Sequence, residues 1–258
     1  MVDKNLSVLT VMEAAQEIAA RRLSPVELTD EILQRIRLLD GSLNAYISVT
    51  EDEARAEARF AESEIMRGRY RGALHGVPIA LKDLYNVRGI PTTAGGKLRN
   101  SLDVEEDSMV VHRLRQAGAI FTGKLNLHEY AFGVTNINPF FGAARNPWGV
   151  NRIPGGSSGG SGVAVAADLC LAALGSDSGG SIRIPVCLCG IIGFKPSFGL
   201  VSRRGVYPLS WSLDHAGPMT KTVADAALVL QEIAGHDPLD PASIKVRPSN
   251  YLDDLGKS

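Results

Sequence analysis

The sequence predicts an α/β protein, a largely parallel or mixed sheet flanked by helices. Short apolar runs bounded by turn residues alternate with amphipathic helical patterns, as strands interleaved with helices do. The composition is ordinary for a globular chain: 258 residues, 45% hydrophobic and 21% charged. A core burying roughly 70–75% of the unfolded surface is within reach at that size. Much of the glycine, 27 residues in all, crowds between positions 155 and 205, among apolar segments and not in a polar linker.

The elements follow in order. Thr10 and Glu13 form a capping-box pattern ahead of Met12, Ala15, Ile18 and Ala19 at helical spacing. Ser24-Pro25-Val26-Glu27 starts a second helix, with Leu28, Ile32, Leu33 and Ile36 on its apolar face and Gly41 as its stop. Residues 51–68 read as a third, mostly solvated helix. The first third is thus helical, and residues 1–70 form a segment expected to pack on a core spanning 71–258. In that core Val77–Leu81 reads as a buried strand, 107–117 as a helix ended by Gly118, and 119–123 as a second strand. Residues 162–171 suit a tightly packed helix; 171–174 and 191–194 suit strands, and 221–234 a helix. From Asp237 the chain turns polar, with three prolines and a frayed end expected.

Charge and cysteine usage narrow the function. Lys+Arg 27 against Asp+Glu 28 leaves a net charge of −1, too little for a general grip on nucleic acid or an anionic membrane. No apolar run reaches 18 residues, and the first ten lack a signal-peptide core. The three cysteines have neither disulfide nor zinc spacing, which implies a reducing, cytoplasmic setting. No metal or cofactor is expected.

Two segments carry candidate chemistry: Pro154 to Gly162 (PGGSSGGSG) and Gly175 to Arg183 (GSDSGGSIR). Backbone N–H groups in such loops can hold an anion, and a serine among them can be a nucleophile. Taken alone, a glycine-serine run is more often a flexible loop. Neither run has the lysine of a P-loop, and G-x-G-x-x-G is absent. A serine nucleophile needs a base. None of His75, His112, His128, His215 and His236 sits in a triad context, and the G-x-S-x-G elbow is imperfect at Ser181. The other base is a desolvated lysine; Lys82 ends the first strand, where a lysine is ordinarily solvated.

Together these motifs resemble the amidase signature family. Residues 155–195 hold GGSSGGSG, a small-residue helix, GSDSGGSIRIP and CGIIGFKP; HGVPIALKDLYNVRGIPTTAG (75–95), GKLNLHEYAFG, NPFFGAARNPW and SLDHAGPMTKTVADAALVL have counterparts too. The resemblance implies a catalytic lysine at Lys82, a bridging serine preceded by a cis peptide bond at Ser157, and a nucleophile at Ser181. It implies an oxyanion hole from the N–H groups of Ser178, Gly179, Gly180 and Ser181, and a substrate-lining carbonyl at Ala131. The implied activity is hydrolysis of a carboxylic amide through an acyl-serine. Asp168 stands where the family commonly has glycine, Ser178 replaces a common threonine, and Val186-Cys187-Leu188 replaces smaller residues. Family members run well past residue 258, so the chain is expected to be an N-terminal portion with an incomplete sheet. An inactive truncated fragment is therefore one reading. The segment Gly133–Trp148 looks more like a general amidase than like the glutaminase component of the tRNA-dependent amidotransferase, the runner-up. The partner expected is a small-molecule amide, with a homodimer, or partner subunits on the glutaminase reading.

Overall fold

The computed structural model describes residues 6–97 and 104–256. The first five and last two residues, on which the readings of the two chain ends partly fall, lie outside them. Six strands form one sheet: β1 (Tyr46–Val49), β2 (Pro78–Lys82), β3 (Ile120–Leu125), β4 (Ala172–Asp177), β5 (Ile192–Gly193) and β6 (His215–Thr220). Their order is β1-β3-β2-β4-β6-β5. The central β3, β2 and β4 are parallel, and β1, β6 and β5 join antiparallel. The sheet is therefore mixed, as expected. Every residue of β2, β3 and β4 is buried, which is why these strands read as continuous apolar runs without alternation.

Eight helices accompany the sheet among the described residues: α1 (Val11–Ala19), α2 (Pro25–Leu43), α3 (Glu51–Met66), α4 (Met109–Gln116), α5 (Gly159–Ala166), α6 (Arg183–Cys189), α7 (Val223–Ile233) and α8 (Tyr251–Asp254). The Thr10–Glu13 capping box forms, with Glu13 N–H donating to Thr10 Oγ1 and Thr10 N–H to Glu13. Ser24 caps α2 with Pro25 in its first turn. One apolar cluster runs from Val11 and Leu33 through Ile79 and Leu174 to Ile233. Among the described residues no helix is long and apolar enough to cross a membrane.

Several elements differ from the sequence reading, each for a physical reason. The first third is not wholly helical: β1 pairs with β3, a four-residue strand too short for periodicity to reveal. Helix α2 passes Gly41 and ends at Asn44, whose φ of 54° is left-handed and whose Nδ2 donates to Phe141 O at 2.8 Å. Asparagine tolerates that conformation through such polar contacts. Helix α3 is mostly solvated, as its composition implies, with Ala54, Ala58, Ala61 and Ile65 buried as one stripe. Pro185 hid α6, yet it falls in the first turn, where a missing N–H costs nothing. Gly217 and Pro218 hid β6, which lies between β4 and β5. The polar tail holds α8, with Tyr251 and Leu252 against the core.

Helix α5 starts three residues earlier than expected and stops at Ala166. It stops because Asp168 takes a left-handed φ of 58°; its carboxylate pairs with Lys221 at 2.6 Å and Arg35 at 3.5 Å. In the first turn of α5 Gly160 sits directly on backbone. A Cβ there would lie 2.4 Å from Asn126 O and 2.5 Å from Ala45 O. Gly160→Ala is therefore expected to cost at least about 1–3 kcal/mol, since neither carbonyl is a side chain that can swing away. Thermal unfolding reads this out; an unchanged midpoint contradicts it.

Candidate active site

The parallel neighbours β2 and β4 end side by side, with Leu81 in register with Leu174. Their carboxyl ends, where open α/β sheets bind ligands, present Lys82 and the pair Ser176-Asp177. The loop before α5 brings Ser157 and Ser158 to the same point. The Gly156–Ser157 peptide bond is cis. Lys82 Nζ donates to Ser157 Oγ at 2.7 Å, Ser158 Oγ at 2.9 Å and Ser176 Oγ at 2.9 Å. The lysine is completely buried, as are Ser157 and Ser158. Burial lowers the amine from its usual 10.5 to about 7, against the opposing pull of Asp177 and Asp214.

A second buried lysine shows what that environment lacks. Lys124 lies on β3, beside β2, and its Nζ is 2.7 Å from Asp83 Oδ1. Asp83 also accepts from the N–H and hydroxyl of Thr93. Lys124 thus has a carboxylate partner inside the core, whereas Lys82 has hydroxyls. A buried amine held by neutral groups loses its proton more easily than one held by an anion.

Ser181 lies at the mouth of α6, 8% exposed. Among the described residues its hydroxyl makes no hydrogen bond. Its carbonyl accepts from Ser158 N–H at 3.2 Å, which ties the two glycine-serine loops together. The loop is shaped by Asp177, whose carboxylate takes Gly180 N–H at 2.8 Å, Ile182 N–H at 3.1 Å and the Arg183 guanidinium at 2.9 and 3.0 Å. Burial pushes this carboxyl up, but Arg183 and the backbone donors outweigh it and bring it down to about 2. Of the four N–H groups expected to form an oxyanion hole, Gly180's is thereby committed to Asp177. Those of Ser178, Gly179 and Ser181 donate to nothing among the described residues. The Ser178 hydroxyl donates to Asp214.

Ala131 is buried in a strained turn: Tyr130 and Ala131 have φ of 50° and 60°. The turn is tied to the site through His128 N–H, which donates to Ser157 O at 3.1 Å, and through Tyr130 N–H, which donates to Ala94 O at 2.7 Å. The structure thus gathers Lys82 and Ser157 in direct contact, links Ser181 to them through Ser158, and attaches the Ala131 turn to Ser157.

Sequence reasoning missed Ser158, Ser176, Asp177 and Tyr85, whose hydroxyl donates to Gly175 O at 2.6 Å beneath the site. The available signal was strand length. Once β4 is extended to Asp177, Ser176 falls at the same sheet end as Lys82. Cys189, at the end of α6, is fully buried, and burial raises its thiol to about 12.

The profile of the family described as Amidase matches residues 27–258. The chain belongs to the amidase family. A curated relative, the A-type subunit of glutamyl-tRNA(Gln) amidotransferase from Anaeromyxobacter sp. (strain K), is 47% identical over 249 residues, covering 96% of this chain and 51% of that protein. Among solved structures, one neighbour comes from a vestigial protein complex bearing on the origins of an s-triazine catabolic enzyme. It is 42% identical with a TM-score of 0.94, over 96% of this chain and 54% of that one. The native peptide amidase from Stenotrophomonas maltophilia is 40% identical with a TM-score of 0.91, over 96% and 53%. This amidase-family chain spans about half the length of the curated relatives it matches.

Proposed function

We propose that this chain carries the acyl-transfer centre of an amidase, a hydrolase that cleaves a linear carboxylic amide to a carboxylate and ammonia or an amine. The observation that carries the reading is the fully buried Lys82, bonded to Ser157 at 2.7 Å and lowered to about 7. In the reaction Ser181 Oγ attacks the amide carbonyl carbon. The Ser181 proton passes to Ser157 Oγ as the Ser157 proton passes to neutral Lys82 Nζ. The oxyanion is held by the N–H groups of Ser178, Gly179 and Ser181; one such donor is worth roughly 10²–10³ in rate. When the C–N bond breaks, the leaving nitrogen takes a proton from Lys82 through Ser157. Water, deprotonated by the same relay, then attacks the acyl-serine carbonyl, and Ser181 leaves with its proton restored.

The substrate we favour is a small amide handled by a stand-alone amidase. The 47% identity to an amidotransferase component supports a second reading, a glutaminase that works with partner subunits. Both use the same acyl-serine.

The test is the pH dependence of Ser181 phosphonylation by a fluorophosphonate, in which Ser181 Oγ attacks phosphorus and fluoride leaves. Lys82 acts only when neutral, so the rate should rise about tenfold per unit below the amine's pKa of about 7 and level off above it. A rate flat across this range, or falling as pH rises, rejects Lys82 as the base.

A further inference from the structure

Three hydroxyls surround the Lys82 amine, and they are not equivalent. A neutral Nζ has two hydrogens and one lone pair, so two of the three hydroxyls accept and one donates. Ser158 has its own proton committed, because its Oγ donates to Ser176 O at 3.2 Å while accepting from Ser176 N–H at 3.2 Å. The donor to the amine is therefore Ser157 or Ser176. Ser157 and Ser158 are fully buried, whereas Ser176 lines a cavity of about 220 Å³ together with Arg203, Tyr207, Trp211, Asp214 and His215. Among the three hydroxyls on the amine, Ser176 is the one that reaches that space.

We propose that Ser176 is the proton port of Lys82, the hydroxyl through which the buried amine exchanges protons with the cavity. The proposal rests on the reading of Lys82 as the base. In the outward step an Nζ–H proton moves to Ser176 Oγ while the Ser176 proton moves to a solvent molecule in the cavity. One N–H and one O–H bond break, one O–H forms on the serine and one on the water, and the amine is left neutral. Ser157 faces the reaction and returns to the leaving nitrogen the proton it delivers to the amine. Ser176 supplies the second exit. The charged and titratable groups around the amine are Asp177, Asp214 and His128. Asp214 lines the cavity beside the exit, its carboxylate held by the Ser178 hydroxyl, Leu209 N–H and Ser210 N–H.

The experiment follows the exchange of the Lys82 ammonium protons with water by NMR on lysine-¹⁵N-labelled protein. It is run at about pH 5.5, where the amine is charged, and the signal is assigned by its loss in Lys82→Arg. Ser176→Ala is expected to slow exchange by at least about tenfold, Ser176→Thr to restore it, and Ser158→Ala to leave it within about twofold of wild type. Ser176→Gly, which also lacks the hydroxyl, replaces the alanine variant if that protein does not fold. Wild-type exchange in the variants without a hydroxyl, or equal slowing in Ser158→Ala, overturns the port. The base itself is judged separately: retained fluorophosphonate labelling of Ser181 in Lys82→Arg rejects it whatever the exchange rates are.

Discussion

Lys82→Arg is expected to cut the rate of fluorophosphonate labelling of Ser181 by about 10²–10⁴, the range a positioned general base supplies. Arginine keeps the positive charge and donates hydrogen bonds, so it satisfies any role in which the lysine merely holds Ser157, Ser158 and Ser176 in place. It stays protonated at any working pH and cannot accept the Ser157 proton. Lys82→Met, which keeps the length without the amine, should be equally inactive. The pair of variants separates a base from a charged brace. If methionine abolishes labelling while arginine preserves it, the brace is right and the relay is wrong. A solvated strand-end lysine would tolerate both changes, but the complete burial of Lys82 and its three hydroxyl contacts leave no such role.

Ser181→Ala should remove covalent labelling altogether and reduce turnover in the whole protein by roughly 10⁴–10⁶, the scale of losing a nucleophile. Ser181 is partly exposed where Ser157 and Ser158 are not, and three N–H groups unclaimed among the described residues lie within its own loop. Its hydroxyl makes no hydrogen bond among the described residues, so the alanine variant should unfold within about 0.5 kcal/mol of wild type. That contrast matters, because loss of label with intact stability cannot be ascribed to a damaged fold. Mass spectrometry locates the label. Recovery on Ser157 or Ser158 assigns the nucleophile elsewhere.

Much of this architecture was legible in the chain because local signals agreed with tertiary demands. The capping residues Thr10 and Ser24 and the apolar run ending at Lys82 each have one sensible structure. Illegible parts arose where tertiary contacts overrode local preference. Asn44 ends α2 because Phe141 O is there to receive its side chain, not because glycine is scarce. Pro218 sits inside a sheet that local propensity denies it. At the site, serine and lysine types were readable, but spacing alone is silent on which buried lysine has a carboxylate. The Lys82–Lys124 distinction required the register of β2 against β3. The commitment of Gly180 N–H to Asp177 is likewise a matter of turn geometry, invisible in a run of glycines.

The carboxylate of Asp168 joins segments that are far apart along the chain. It meets Arg35 from α2 and Lys221 from the approach to α7, while Lys221 also donates to Ser7 O at 3.0 Å and Leu9 O at 3.1 Å. Such a clasp closes only after several long loops have closed, so it belongs late on the folding route. Interactions absent from the transition state govern how fast a protein comes apart and leave the speed of assembly nearly untouched. Glycine at 168 would ease the left-handed turn and dissolve the clasp. Asp168→Gly should therefore refold at nearly the native rate and unfold faster, a shift confined to one arm of the chevron. The aspartate acts as a latch on the lifetime of the folded state.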